Sequence, residues 1–143
     1  MARLNWKQLY NLLDRMTKAI LETHLKYSAW ASIRLLEAAA ALSGDELNRD
    51  FLTADKTVLG TLVHCFAADR IWFHRVDGTL RSSFIDPEDR SLQLLSDEWP
   101  KYGEKWLELL AKESEESLQR IVSFTDLKGK QHQQPCGRLY CIW

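Results

Sequence analysis

The sequence predicts an all-α protein in which residues 1–143 form a single helical-bundle domain. Only three prolines occur, at positions 87, 100 and 135, so long stretches of the chain are free to be helical. Apolar residues recur at three- and four-residue intervals in three long segments, which is the periodicity of amphipathic helices. A chain of 143 residues can bury one core of its own, so we expect one domain.

The first two helical segments occupy the N-terminal half. The first covers residues 4–42, either as one helix or as a lead-in followed by a long helix, and ends at Ser43 and Gly44. The second runs from a cap at Thr53 or Asp55 to about Val76. The apolar stripe of the first helix comprises Leu25, Ala29, Ile33, Leu36 and Ala40.

The third predicted helix begins near Ser91 and ends near Leu118. Pro100 lies inside it and predicts a kink, or a break with a new start just before the proline. Residues 120–124 then favour β-structure and could form a brief hairpin with residues 131–133. The buried stripe of the third helix comprises Leu95, Trp99, Tyr102, Trp106, Leu109 and Leu110.

Composition excludes several classes of function. The net charge is −1, with basic and acidic residues mixed along the chain, which argues against nucleic acid or an anionic membrane as a partner. No apolar run has the length of a membrane-spanning helix, and the N-terminus lacks the apolar core of a signal peptide. Three cysteines without a regular framework are typical of a reducing compartment, so we expect a cytoplasmic protein.

Tryptophan is abundant, with six residues, five of them in predicted helices. They are expected to fill the core, and the alternative is that some line a pocket between helices. These five are Trp6, Trp30, Trp72, Trp99 and Trp106.

His64 is the candidate metal ligand. Neutral imidazole is the commonest metal-binding side chain, and the alternative is a hydrogen-bonded interior histidine. A catalytic zinc uses three protein ligands, so His64 alone is not a complete site. Asp69, five positions later, points away from His64 and predicts an ion pair with a neighbouring helix. The face around His64 leaves space for a metal, water or substrate, because the positions three and four residues away are small: Gly60, Thr61, Ala67 and Ala68.

The other histidines are weaker candidates. We expect His24 to be half exposed on the first helix and His74 to lie at the surface near the end of the second. His132 could join Cys136 and Cys141 in a thiolate–imidazole cluster, although the spacing matches no strong zinc pattern. No Ser/His/Asp order and no Gly-rich phosphate loop occurs, so no catalytic residue is assigned.

Several segments carry the signatures of one protein family. Residues 24–37 (HLKYSAWASIRLLE) match a first-helix pattern, and residues 59–64 (LGTLVH) and 68–72 (ADRIW) match a second-helix pattern. The helix of Trp106 and residues 124–129 (FTDLKG) continue the match. By these motifs the chain resembles the DinB-like (YfiT-like) proteins, which implies an up-down four-helix bundle that is often a homodimer.

The resemblance also implies a metal centre. In that family the second-helix histidine, which His64 matches, is one of three ligands of a divalent metal such as zinc or nickel. The other two come from a His-x-x-x-His pair on the fourth helix, and these 143 residues contain no such pair. The implied activity is that of a metal-dependent hydrolase or thiol-dependent transferase acting on an unknown small molecule. The alternative is a non-catalytic helical dimerisation or small-molecule-binding module.

The last nine residues, 135–143 (PCGRLYCIW), depart from the family pattern. We expect the fourth helix to be truncated here, the domain to be incomplete and the chain to be inactive. Reading the back-translated codons one base earlier gives Leu-His-Leu, similar to the entry into the family's fourth helix, so we hypothesise a frameshift. Three helices would expose an apolar seam to water, which costs about 25 cal/mol of free energy per Å² of exposed apolar surface. Self-association into a symmetric homodimer would cover it, and folding back of residues 4–13 is the alternative.

Overall fold

The computed structural model describes residues 17–79 and 83–141, which form five α-helices and one antiparallel pair of strands. The mainly helical fold is therefore confirmed, with a small sheet added to it. Whether a fourth long helix is truncated stays a prediction. The elements are α1 (Lys18–Ala40), α2 (Gly44–Asn48), α3 (Val58–Asp77), α4 (Leu92–Lys112), β1 (Ile121–Thr125), β2 (Gln131–Pro135) and α5 (Cys136–Leu139).

Helix α4 is the centre of the bundle and packs against both α1 and α3. Ser91 caps its first turn by accepting a hydrogen bond from the backbone N–H of Leu94. Of the two outcomes predicted at Pro100, the break does not occur, since α4 continues through the proline as one helix, and the kink stays a prediction. Apolar anchors on both sides of the proline hold the two halves in the same core. The predicted stripe of α4 is buried except for Leu109, which is half-buried. The buried residues of α4 are Leu95, Trp99, Tyr102, Trp106 and Leu110.

Helix α1 buries a face that is rotated from the predicted stripe. Ile33 and Ala40 were expected in the core but are exposed, and so is Trp30. Thr17 caps the helix by accepting a hydrogen bond from the N–H of Ile20. Residues 1–16, which include the rest of the first predicted segment and Trp6, lie outside the described residues. The buried residues of α1 are Leu21, Leu25, Ser32, Leu36 and Ala39.

Two helix ends differ from the prediction because side-chain hydroxyls compete for the backbone. Thr57, rather than Thr53 or Asp55, caps α3 and accepts from the N–H of Gly60 at 2.8 Å. Helix α4 ends at Lys112 instead of near Leu118. Beyond it, the hydroxyls of Ser114 and Ser117 accept from each other's backbone N–H groups at 3.0 and 2.8 Å, an alternative to continuing the helix.

The C-terminal part of the described chain packs into the core. The predicted hairpin is confirmed, with Ile121 opposite Pro135 in an antiparallel register. Helix α5 follows directly, and Leu139 and Tyr140 are fully buried, with the Tyr140 ring 5.2 Å from that of Trp106. The segment that departs from the family pattern thus forms one short helical turn that buries its apolar side chains. Among residues 17–79 and 83–141, no helix is long and apolar enough to cross a membrane.

Candidate functional site

His64 lies on α3 with half of its side chain exposed, beside the loop that precedes the helix. Its Nδ1 is 3.2 Å from Oδ1 of Asp55. The loop reaches the ring because Gly60 has no side chain: a Cβ there would stand 2.3 Å from the carbonyl oxygen of Asp55. Gly60 therefore sets the approach that pairs the carboxylate with the imidazole, and the small face around His64 is occupied by backbone as well as by solvent.

The pair has the form of an oriented metal ligand without the rest of a metal site. Metal-binding histidines commonly hold a carboxylate on one ring nitrogen, which fixes the ring and leaves the other nitrogen for the metal. Asp55 supplies that carboxylate. Within residues 17–79 and 83–141, however, no group of three His, Cys, Asp or Glu side chains is placed to hold a metal ion. One imidazole donor does not fit a resident zinc or nickel, which needs about three protein ligands.

A buried ion pair supports the other side of His64. Arg70 donates from Nη1 to Oδ1 of Asp89 at 2.8 Å, and Nη2 lies 3.4 Å from Oδ2 of Asp86. Nη2 also donates to the carbonyl oxygen of Phe84 at 3.2 Å. The Phe84 ring meets His64 edge to face, with centroids 5.4 Å apart. The guanidinium thus fastens residues 83–89 to α3 and places an aromatic wall beside the imidazole.

Asp69 is the second polar centre of α3, and it is 4% exposed. The indole N–H of Trp99 donates to Oδ2 at 2.8 Å, and the indole N–H of Trp106 donates to Oδ1. Burial raises the pKa of Asp69 to about 7, although the two indole N–H groups oppose the shift by favouring the carboxylate. The predicted ion pair is therefore wrong: Asp69 does bind the neighbouring helix, but through neutral donors.

A cavity of about 360 Å³ opens between α1 and α4, with Asp69 in its lining. Its walls are largely apolar and include Leu35 from α1 and the rings of Trp99 and Trp106 from α4. The two helices approach closely at one point, where a Cβ on Gly103 would stand 2.9 Å from that of Ala29. This volume lies at the lower end of the range for sites that bind small organic molecules. Trp99 and Trp106 belong to the buried core, as expected, and they also line this pocket, which was the alternative.

Of the other three histidines, His74 and His132 contact polar side chains nearby, whereas Nε2 of His24 has no hydrogen-bond partner among the described residues. His74 is half-buried rather than on the surface, and its Nε2 lies 3.2 Å from the hydroxyl of Tyr102. His132 lies 2.8 Å from Asp126 through Nε2 and stacks on Phe124, so it is not part of a cluster with the two C-terminal cysteines. His24 is half-buried, and its Nε2 is enclosed without a hydrogen-bond partner among the described residues. Like Asp69, it lines the cavity.

Two features were missed by sequence reasoning. The Asp55–His64 pair depends on a close backbone approach that no spacing in the sequence reveals. The site at Asp69 did leave a signal. Trp99 and Trp106 are seven residues apart, which places both indoles on one face of α4, and a buried indole N–H requires an acceptor. The carboxylate of Asp69, on a helix predicted to pack against α4, was the available acceptor.

The fold and these two centres define a helical bundle with a histidine–carboxylate pair at its surface and a buried carboxylate beside an apolar cavity. The chain belongs to the DinB family, whose family model matches residues 14–134. The resemblance drawn from the sequence motifs is thus confirmed. Comparison with curated proteins and with solved structures found no significant match.

Proposed function

We propose that this DinB-family protein binds a small organic molecule in the cavity between α1 and α4, and that residues 1–143 act without metal-dependent catalysis. The observation that carries the proposal is the cavity itself, about 360 Å³ of mostly apolar space that ends on a buried carboxylate. Apolar walls with a few convergent polar groups are the usual composition of a small-molecule site.

The test is a ligand-observed NMR screen with small aromatic amines, alcohols and amides. Ser28 lies on the cavity lining and is half-buried, so Ser28→Leu should fill the space while leaving Asp69 in place. Ala38→Leu, which adds the same side chain at an exposed position of α1 outside the cavity lining, is the matched control. Binding that Ser28→Leu abolishes and Ala38→Leu retains supports the proposal. A screen in which no compound distinguishes Ser28→Leu from the parent protein refutes it.

Metal-dependent hydrolase or thiol-dependent transferase chemistry is the second candidate, favoured by the carboxylate that orients His64. A bound metal would supply a Lewis acid and an activated nucleophile. In this chain His64 would be its one imidazole ligand, with Asp55 fixing the ring. We therefore expect only weak binding of Zn²⁺ or Ni²⁺ in a calorimetric titration, reduced further by His64→Gln. Tight stoichiometric binding that His64→Gln abolishes would instead support the metalloenzyme.

We also propose that the protein forms a homodimer. Helix α1 exposes large apolar side chains, with Tyr27 64% and Trp30 57% exposed, and Ile20, Ile33 and Leu35 also open to solvent. Such a patch on one helix favours a second copy of the chain, because two-fold symmetry covers the same surface on both partners. Light scattering should give twice the chain mass for the parent protein and a lower mass for Trp30→Glu. A monomer at tens of micromolar would refute the dimer.

A further inference from the structure

The charge balance around Asp69 suggests what the cavity binds. Each of its carboxylate oxygens accepts one indole N–H, and an oxygen of this kind can accept a second donor. Within the described residues no cationic side chain forms an ion pair with Asp69. Arg70, the nearest in sequence, is turned to Asp89 and Asp86 instead. The structure therefore presents a buried acceptor with spare capacity and no counter-charge beside an accessible cavity.

A second polar side chain lies at the same cavity. His24 lines the cavity from α1, and its Nε2 is enclosed and lacks a partner among the described residues. A purely apolar ligand would leave both Asp69 and His24 without new hydrogen bonds, and an anionic ligand would be repelled by the carboxylate. A ligand with N–H donors at one end would satisfy Asp69 directly.

We propose that the cavity binds a small organic amine, whose ammonium group donates to the carboxylate of Asp69 while its apolar body lies against Trp99 and Trp106. This inference rests on the proposed small-molecule function and names the chemical class of the ligand. Indole faces favour cations as well as apolar groups, so both ends of such a ligand find complementary surroundings. At about 30 Å³ for each water-sized group, 360 Å³ holds roughly a dozen non-hydrogen atoms.

The pH dependence provides a signature of the ion pair. The titratable side chains that share the cavity lining with Asp69 are His24 and Tyr27, both from α1, whereas α4 contributes two indoles and Gly103. An ammonium ligand requires the ionised carboxylate, whose pKa lies at about 7 in the free protein. Its affinity should therefore fall about tenfold per pH unit below that value. A neutral ligand of the same shape should show no such change.

The experiment compares 2-phenylethylamine with 2-phenylethanol by calorimetry on the full chain at pH 8 and pH 5.5. At pH 8 we expect the amine to bind at least about tenfold more tightly than the alcohol, because it forms a charge-assisted hydrogen bond. At pH 5.5 the amine should lose this advantage over the alcohol. Asp69→Asn, checked for folding by circular dichroism, should reduce amine affinity and spare alcohol affinity. The comparison of the two ligands on the parent protein needs no variant, so it decides the question even if Asp69→Asn does not fold.

The outcomes separate the two proposals. Equal or tighter binding of the alcohol at pH 8 overturns the amine assignment and leaves the small-molecule function standing. Binding of both compounds that Ser28→Leu does not disturb overturns the site for both proposals. Binding of neither compound, together with a negative fragment screen, overturns both. A pH-dependent preference for the amine that Ser28→Leu removes supports both.

Discussion

Replacing Asp69 by asparagine should change the way in which the stability of the protein depends on pH. Burial raises the pKa of this carboxyl from 3.8 to about 7 in the folded protein. Between these two values the folded state retains a proton that the unfolded state has already released. The free energy of unfolding must therefore fall as the pH rises through this window, because stability decreases wherever the folded state binds more protons.

The magnitude follows from the size of the shift. One pKa unit corresponds to about 1.36 kcal/mol, so a rise of about three units amounts to about 4 kcal/mol between pH 4 and pH 7. Above pH 7 both states are ionised and the contribution of Asp69 becomes constant. Asparagine does not titrate, so Asp69→Asn removes this slope. It also turns an amide N–H₂ toward one of the two indole donors, which should cost about 1–3 kcal/mol independently of pH.

The assay is urea denaturation of the parent protein and Asp69→Asn at half-unit steps from pH 4.5 to pH 8.5. Subtracting the two curves cancels the titration of every other group that the substitution leaves unchanged. We expect the parent protein to lose stability relative to the variant up to about pH 7 and to run parallel to it above. Curves that stay parallel across the whole range would show that the carboxyl is not perturbed by burial, and the reasoning would be refuted.

Three further substitutions test the packing around the two centres. Asp89→Asn should destabilise the fold by about 3–5 kcal/mol in urea denaturation, because it removes the buried carboxylate that binds both Nη atoms of Arg70 and leaves only the more distant carboxylate of Asp86 to balance the charge. A loss below about 1 kcal/mol would contradict this. Gly60→Ala should lower the free energy of unfolding by about 1–3 kcal/mol in a thermal denaturation scan, since its Cβ would meet backbone at 2.3 Å. Gly44→Ala, with open space around it, should be neutral in the same scan. Tyr140→Phe should be neutral or stabilising by up to about 1 kcal/mol, because the buried hydroxyl has no partner among the described residues; a large loss of stability would reveal one.

The sequence predicted those parts of the fold that depend on one element at a time. The stripe on α4 was predictable because five buried residues repeat at three- and four-residue spacing, and the hairpin was predictable from its β-favouring run and turn. The orientation of α1 was not, since apolar residues surround much of that helix and only its packing on α4 decides which of them are buried. The local surroundings of His64 made it a candidate ligand, and that role stays a prediction, whereas its pairing with Asp55 depends on loop conformation.

The two polar centres of α3 lie on different faces of the helix, and that separation can itself be tested. His64 and Asp69 are five residues apart, which places their side chains about 140° apart around the helix and about 7.5 Å apart along it. His64 is exposed beside the preceding loop, while Asp69 faces α4 and the cavity. A metal held at His64 would therefore lie on another face from a molecule bound against Asp69. We expect the affinity for 2-phenylethylamine to be unchanged by Zn²⁺ and by His64→Gln, in calorimetric titrations at pH 8. If Zn²⁺ or His64→Gln shifted that affinity tenfold, the two centres would be coupled. The amine would then have to be assigned to a site that both His64 and Asp69 share.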